Sequence, residues 1–286
     1  MSCRAVWPLG TVLALAAVSL GVACQRSSDR APARELPPRP LRVLTWNVQK
    51  GEHGLDALIA ELRQADADII CLQEVTEPRG KAAVPNQSEQ LGKALGMYVY
   101  SHGDRLDDER NQALAILSRV PLLETKALCA PDTTRNYAVT AVAPWRDLRL
   151  RIACVHLAGT WKAQWEHVQE TSAARLRDWT ALRAAANQWT GPTIIAGDFN
   201  TLPGASQFAE LGDRLRIVSG TEPTFPSATP AMCLDYVLSS TELSCTKVTR
   251  VATAASDHQP VLVEFDLTDA ATTKPTTQPR QAEREP

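Results

Sequence analysis

The chain predicts an α/β sandwich built on mixed sheets, and three features of the sequence carry that expectation. Short apolar runs of strand character recur from residue 42 to residue 265. Stretches with helical hydropathy period interleave with them in the first half, and in places, as over 137–157, strand follows strand directly. Alternation with helices argues for sheets covered by helices, while consecutive strands require antiparallel pairs, so a purely parallel sheet is the poorer fit. The expected strands are 42–48 (RVLTWNV), 69–72 (IICL), 98–101, 114–118, 137–142, 148–157 (LRLRIACVHL), 193–196 (TIIA), 236–238, 246–251 and 260–265. A helix is expected over 55–64, where Leu55, Leu58, Ile59 and Leu62 follow the 3.6-residue period. A second covers 89–95 and stops at Gly96, a C-cap residue type. The longest runs from 160 to about 189 and ends before Gly191-Pro192. Its stripe of Trp161, Trp165, Val168, Ser172, Leu176, Trp179, Leu182 and Ala186 reads as a bulky face laid on a sheet, with an aromatic ligand platform as the alternative. No internal repeat is visible.

Composition bounds the rest. With 286 residues, 44% hydrophobic and 22% charged, the chain is neither collagen-like nor wholly disordered. Residues 1–24 are set aside as a signal peptide: Arg4 precedes a charge-free apolar run, 6–23. Gly21-Val22-Ala23-Cys24 resembles the lipobox of bacterial lipoprotein precursors, whose cysteine becomes the lipid-modified first residue, although Gly21 stands where that pattern usually has Leu. An ordinary cleaved signal and an uncleaved membrane anchor are the alternatives. All three readings place the remainder outside the cytoplasm, the first on a membrane through Cys24. Residues 25–40, with four prolines, read as a tether, 41–267 as one domain, and the Thr/Pro-rich 268–286 as a disordered tail. Arg4 contributes one positive charge, the tether a surplus of two, and the tail balances, so the domain carries −5 against −2 for the whole chain. That is no signature of a sequence-blind nucleic-acid coat protein. The seven cysteines (Cys3, Cys24, Cys71, Cys129, Cys154, Cys233, Cys245) show no zinc-type spacing.

Several polar residues sit where apolar strand runs end, a common location for sites in α/β proteins. Asn47 ends LTWN, Glu74 follows IICLQ, His156 lies in CVHL, Asp198 and Asn200 form GDFN after TIIA, Asp235 begins LDYVLSS, and Asp257-His258 stand in SDHQPVLVEF. Each alone has an ordinary structural reading as a turn former, a solvated charge or a core histidine. Together they form a carboxylate-rich, histidine-containing set with no serine nucleophile pattern. That combination suits a hard, oxygen-liganded cation such as Mg²⁺ and metal-assisted attack on phosphorus.

The ordered strings WN, QE, HL, GDFN, LDY and SDHQPV resemble the endonuclease/exonuclease/phosphatase superfamily over essentially the whole domain, from Asn47 to His258. The resemblance implies a four-layer sandwich, two packed mixed sheets flanked by helices. It implies Glu74 as principal metal ligand with Asn47 and Asp257 beside it, and Mg²⁺ as the cofactor with Mn²⁺ as an alternative. Asp198 would orient or deprotonate the attacking water and Asn200 would hold a phosphoryl oxygen. His258 would be the catalytic histidine, with Asp235 fixing its tautomer and charge. His156, in a His-Leu pair, is similar to the sphingomyelinase-like and phosphoinositide-phosphatase-like branches and would bind a phosphoryl oxygen. Two stretches depart from the pattern: Cys233-Leu234-Asp235 stands where many members have Arg-Ile-Asp, and NQALAILSR matches the usual Gly-x-Ala-Ile-Leu-Ser-Arg loosely. Arg135 reads as a loop arginine or a phosphate clamp, and His53, His102 and His167 as surface residues. The expected activity is a metal-dependent phosphodiesterase or phosphatase outside the cytoplasm, acting on a phospholipid-like, inositol phosphate or nucleic-acid substrate. A secreted DNase-like endonuclease and a catalytically inactive surface binding module are the alternatives.

Overall fold

The computed structural model describes residues 36, 39–77, 86–103, 112–129, 136–160, 164–209 and 211–267. The signal segment, most of the tether, the C-terminal tail, Trp161 and Arg135 lie outside them. Among the described residues, strands β1 (Leu41–Asn47), β2 (Ile69–Thr76), β3 (Tyr98–Gly103), β4 (Gln112–Ser118), β11 (Ser244–Arg250) and β12 (Val261–Asp266) form one sheet in the order β11-β12-β1-β2-β4-β3. The second sheet joins β5 (Leu123–Cys129), β6 (Asn136–Trp145), β7 (Leu148–His156), β8 (Thr193–Asp198), β9 (Leu215–Ile217) and β10 (Asp235–Ser240) in the order β5-β6-β7-β8-β10-β9. Each sheet has one parallel pair at its centre, β1/β2 and β7/β8, and is otherwise antiparallel.

Side-chain alternation along these strands builds the four layers. Val43, Ile69, Cys71, Ile116, Val139, Ile152, Cys154 and Val263 meet in the core between the sheets. Their neighbours in sequence, Leu44, Trp46, Ile70 and Leu72, point the other way onto Leu58 and Leu62 of helix α1 (Leu55–Ala65) and Leu91 of α2 (Gln87–Leu95). On the far side Ala153, Val155 and Ile195 pack against Trp179, Leu182 and Ala186 of α3 (Trp165–Ala186), with Phe208 of the short α4 (Ser206–Ala209) beside them. Central strands buried on both faces therefore read as nearly continuous apolar runs. Gly197 is needed at the β7/β8 seam, because an added Cβ would lie 1.9 Å from the Val155 carbonyl oxygen.

Differences from the sequence reading have local causes. Within the described residues α3 runs from Trp165 to Ala186, shorter than the expected stretch, and its buried residues are Thr171, Asp178, Trp179, Leu182 and Ala186. Trp165 and Leu176 of the expected stripe are 70% and 51% exposed, so the buried face is narrower than the stripe: it keeps Trp179, Leu182 and Ala186 and takes in Thr171 and Asp178. Strand β5 was not anticipated: its first four residues are exposed at a sheet edge, where no apolar run is needed. Helix α2 starts two residues earlier than expected because the Asn86 side chain accepts the Glu89 N–H as its N-cap, and it ends at Gly96. Leu36 and Arg39, within the expected tether, touch the domain: Leu36 packs on the core and Arg39 Nη1 lies 2.7 Å from the buried Asp68.

Candidate active site

Strand direction brings the sequence-predicted residues to one end of the sandwich. The parallel pairing of β1 with β2 ends at Asn47 and Gln73, and that of β7 with β8 at His156 and Asp198. β10 runs antiparallel to β8, so its first residue, Asp235, pairs in register with Asp198. β12 runs antiparallel to β1, which puts Asp257-His258, just ahead of it, at the same end. The two sheets meet through Asn47, whose Nδ2 donates to Glu74 Oε1 at 3.1 Å and to Asp198 Oδ2 at 3.2 Å. Its Oδ1 accepts from the Gln49 N–H at 3.1 Å, which fixes the orientation of the amide.

Glu74 lies inside β2, at a β-bulge between Leu72 and Val75, with φ of 56°. A left-handed backbone at a glutamate is uncommon, and strain of this kind concentrates at functional positions. The bulge turns the carboxylate toward the cleft, where Gln112 Nε2 donates to Oε2 at 2.7 Å. Burial raises the Glu74 pKa and the neighbouring Asp257 adds to the rise, while Asn47, His258 and Lys50 oppose it. His156 Nε2 stands 3.8 Å from both Glu74 Oε1 and Asp198 Oδ2.

Asp198 is almost wholly buried, which pushes its pKa up to about 7 against the pull of His258, the Asn200 N–H and Asn47. Its Oδ1 accepts the Asn200 N–H at 2.8 Å, and Asn200 itself has a left-handed backbone (φ 48°). His258 Nε2 lies 3.8 Å from Asp198 Oδ2, and His258 Nδ1 is bonded to Asp235 Oδ2 at 2.8 Å. Burial disfavours the imidazolium, but the charge and hydrogen bond of Asp235, with help from Asp198 and Asp257, outweigh it and raise the His258 pKa to about 10. The histidine is therefore cationic at neutral pH. Thr224 Oγ1 holds Asp235 Oδ2 at 2.6 Å, the Phe225 ring lies against the imidazole, and the Trp46 indole donates to the His258 carbonyl at 2.8 Å. Ser256 Oγ donates to the Asn47 carbonyl at 2.6 Å and accepts the His258 N–H at 3.3 Å, tying the β12 approach to β1.

All eight sequence-predicted residues thus gather in one cleft. Asp198, Asp235 and His258 offer ligand atoms within 4.8 Å of one another, a grouping that could hold a metal. The Glu74 end suits a hard cation on different grounds: a half-buried carboxylate, beside a second one at Asp257, leaves local negative charge that a cation would relieve. The oxygens available to a cation there are those of the carboxylates, which fit Mg²⁺ or Mn²⁺, whereas Asn47, expected beside the metal as a ligand, and Gln112 turn their NH2 groups toward Glu74 and so support the carboxylate. Gln112, Thr224 and Ser256 were not anticipated as parts of the site, although Gln112 heads the QALAILS run and Ser256 opens the SDHQPV string. His102, expected at the surface, is half-buried, and its Nδ1 lies 2.9 Å from Asn136 Nδ2. The described cysteines are free thiols.

The sequence profile of the Endonuclease/Exonuclease/phosphatase family matches residues 44–258, the span that contains this whole cleft. The chain belongs to that family. A UPF0294 protein of Vibrio vulnificus (strain CMCP6) is 25% identical over 265 residues, covering 85% of this chain and 82% of the relative. Similar solved structures include an endonuclease/exonuclease/phosphatase family protein from Leptotrichia buccalis C-1013-b (TM-score 0.62, 16% identity, 79% of this chain and 99% of that one). The 3′-5′ exonuclease NExo from Neisseria meningitidis matches with TM-score 0.61 and 19% identity over 79% of this chain and 100% of that one. An AP endonuclease from Archaeoglobus fulgidus gives TM-score 0.61 and 18% identity over 79% and 99%. At these identities the structural likenesses establish the fold, and the family membership makes phosphoester hydrolysis the activity class.

Proposed function

We propose that this family member is a divalent-metal-dependent phosphodiesterase that works outside the cytoplasm by in-line attack of water on phosphorus. The observation that carries the reading is the Asn47 amide, which joins a half-buried metal-type carboxylate, Glu74, to a buried base-type carboxylate, Asp198. Glu74, steadied by Asn47 and Gln112 and neighboured by Asp257, would hold Mg²⁺, or Mn²⁺ in its place. A cation there supplies charge neutralisation at a phosphoryl oxygen and at the leaving oxygen. Asp198 orients the water and takes its proton; its raised pKa makes it a better acceptor near neutrality than an ordinary aspartate. The Asn200 amide, the cationic His258 and His156 face the charge that grows on the equatorial oxygens. Asp235 keeps His258 protonated. The charge-free run 6–23 and Cys24 support export and lipid attachment at a membrane.

The test is hydrolysis of sphingomyelin, an inositol phosphate, plasmid DNA and bis-p-nitrophenyl phosphate in one buffer with and without Mg²⁺. Metal-dependent turnover of a diester is expected, and Asp198→Ala should lower kcat by roughly 10³-fold, within the range for loss of a positioned general base. Full Mg²⁺-dependent activity in Asp198→Ala overturns the mechanism. A nuclease is the second reading, favoured by the names of three similar structures: the exonuclease and the AP endonuclease reported above and the 3′ phosphatase NExo from Neisseria bound to product DNA hairpin. The domain charge of −5 and the lack of a Lys/Arg-rich run weigh against a long polyanion. Cleavage of plasmid DNA in preference to the other esters would establish the second reading.

A further inference from the structure

Immediately after His156, residues 157–160 form a short strap across the cleft end of the second sheet. Its first residue is pinned to β8 and beyond: Leu157 N donates to the Asp198 carbonyl at 3.0 Å, and Leu157 O accepts from Asn200 Nδ2 at 3.1 Å. That bond uses one N–H of the Asn200 amide and leaves the other as the donor for a phosphoryl oxygen. Gly159 rests directly on the same amide, since an added Cβ would lie 3.1 Å from Asn200 Oδ1 and 3.3 Å from Nδ2. The other side of the strap is held by α3. Arg175 Nη1 donates to the Ala158 carbonyl at 2.7 Å and to Thr160 Oγ1 at 3.0 Å, and Thr160 Oγ1 also bonds Thr171 Oγ1 at 2.6 Å. The second arm of the guanidinium, Nη2, donates to Ser172 Oγ at 3.0 Å, which orients the fork on its own helix.

We propose that Arg175 is a positioning residue of this active site: by clamping the strap 157–160 to α3 it sets the Asn200 amide and the His156 imidazole at the height a phosphoryl group requires. This rests on the hydrolase reading above. The arrangement needs an arginine, because two acceptors on the strap and one on the helix are met by a planar fork, and an ammonium cannot reach all three at once. The half-buried guanidinium also interacts electrostatically with Asp198, so the clamp and the carboxylate belong to one local charge arrangement. Nothing in the linear spacing marks Arg175, which sits among the arginines of a long helix.

The experiment compares full-length wild type, Arg175→Ala, Arg175→Lys and the milder Thr160→Ala, with bis-p-nitrophenyl phosphate and Mg²⁺. Arg175→Ala should lower kcat by about 10²-fold, the loss that follows when reacting groups are displaced by about 1 Å. KM and the Mg²⁺ concentration for half-maximal rate should change little, because the Glu74 end is untouched. Arg175→Lys and Thr160→Ala should fall between, and added guanidinium ion should partly restore Arg175→Ala where urea does not. Independently of turnover, the NMR resonances of the Asn200 side-chain amide and the His156 ring should move in Arg175→Ala and return with guanidinium. Wild-type kcat in Arg175→Ala, or unmoved Asn200 and His156 resonances, overturns the proposal. If Arg175→Ala does not fold, Arg175→Lys and Thr160→Ala decide by the same resonances. If the wild type hydrolyses no phosphate ester, the hydrolase reading fails, and the resonances still decide whether Arg175 orients these two side chains.

Discussion

The two halves of the molecule share a topology and bring different side chains to the cleft. β1-α1-β2-α2-β3-β4 and β7-α3-β8-α4-β9-β10 have the same order, each with a helix joining its parallel pair and each followed in its sheet by the same strand neighbours. Position by position, Asn47 at the end of β1 corresponds to His156 at the end of β7, and Gln73, its partner in β2 just before Glu74, corresponds to Asp198 at the end of β8. Yet the first half reaches the cleft with a glutamate at a bulge, and the second with an aspartate that stays in regular strand geometry. The longer side chain on a strained backbone is suited to seating a cation, while the shorter, almost fully buried one is suited to holding a water and a proton. One backbone plan, used twice, therefore gives two carboxylates in different environments, and such a difference is what the proposed separation of roles rests on.

The comparison breaks most visibly if each carboxylate is neutralised in turn. Glu74→Gln should abolish saturable Mg²⁺ or Mn²⁺ binding in isothermal titration, whereas Asp198→Asn should bind the ion nearly as the wild type does and yet lose roughly 10³-fold in kcat. Equal loss of metal affinity in both variants would show that the halves are not specialised in this way. The Asp235–His258 pair gives the next effect. The His258 pKa is raised to about 10 from an ordinary 6.5, so the stability it contributes is fully present below about pH 6.5 and is lost as pH rises through about 10. Asp235→Asn should remove that contribution and bring the alkaline limb of the rate profile down toward 6.5. Thermal melts and kcat at pH 6 and pH 9 check it, and identical profiles in wild type and variant would refute the pairing. Smaller still is the contrast along α3. Trp179→Ala should cost about 3–5 kcal/mol in urea unfolding, as for other buried aromatics, whereas Trp165→Ala should stay within about 0.5 kcal/mol.

The site was legible because its residues sit at the ends of apolar runs, and a strand end that leaves the core exposes its next polar side chain at a predictable place. Asn47, Glu74, His156, Asp198, Asn200, Asp235, Asp257 and His258 all have that context. Gln112, Thr224 and Arg175 do not, and their roles come from partners far along the chain. Gln112 meets Glu74 across 38 positions, Thr224 meets Asp235 around a loop, and Arg175 meets a strap 15 to 17 residues before it. The same limit explains the α3 stripe: helical periodicity marked Trp165 and Leu176 as buried, but a helix buries the face its neighbours present a surface to, and here that surface lies toward Thr171, Asp178 and Leu182.

By itself the sequence determined the mixed α/β character, the strands that form the core and the identity of the cleft residues, because period and strand ends are local properties of burial. The repeated topology escaped it: the two halves keep the same connections without keeping the same residues, since a parallel pair joined by a helix asks only for apolar strands and an amphipathic crossover. Only the tertiary structure decided that Asn47 bridges carboxylates from two sheets, that Glu74 sits at a bulge, and that α3 clamps the strap behind His156. Those are contacts between segments whose separation is fixed by how the sheets stack, and no one-dimensional pattern records that distance.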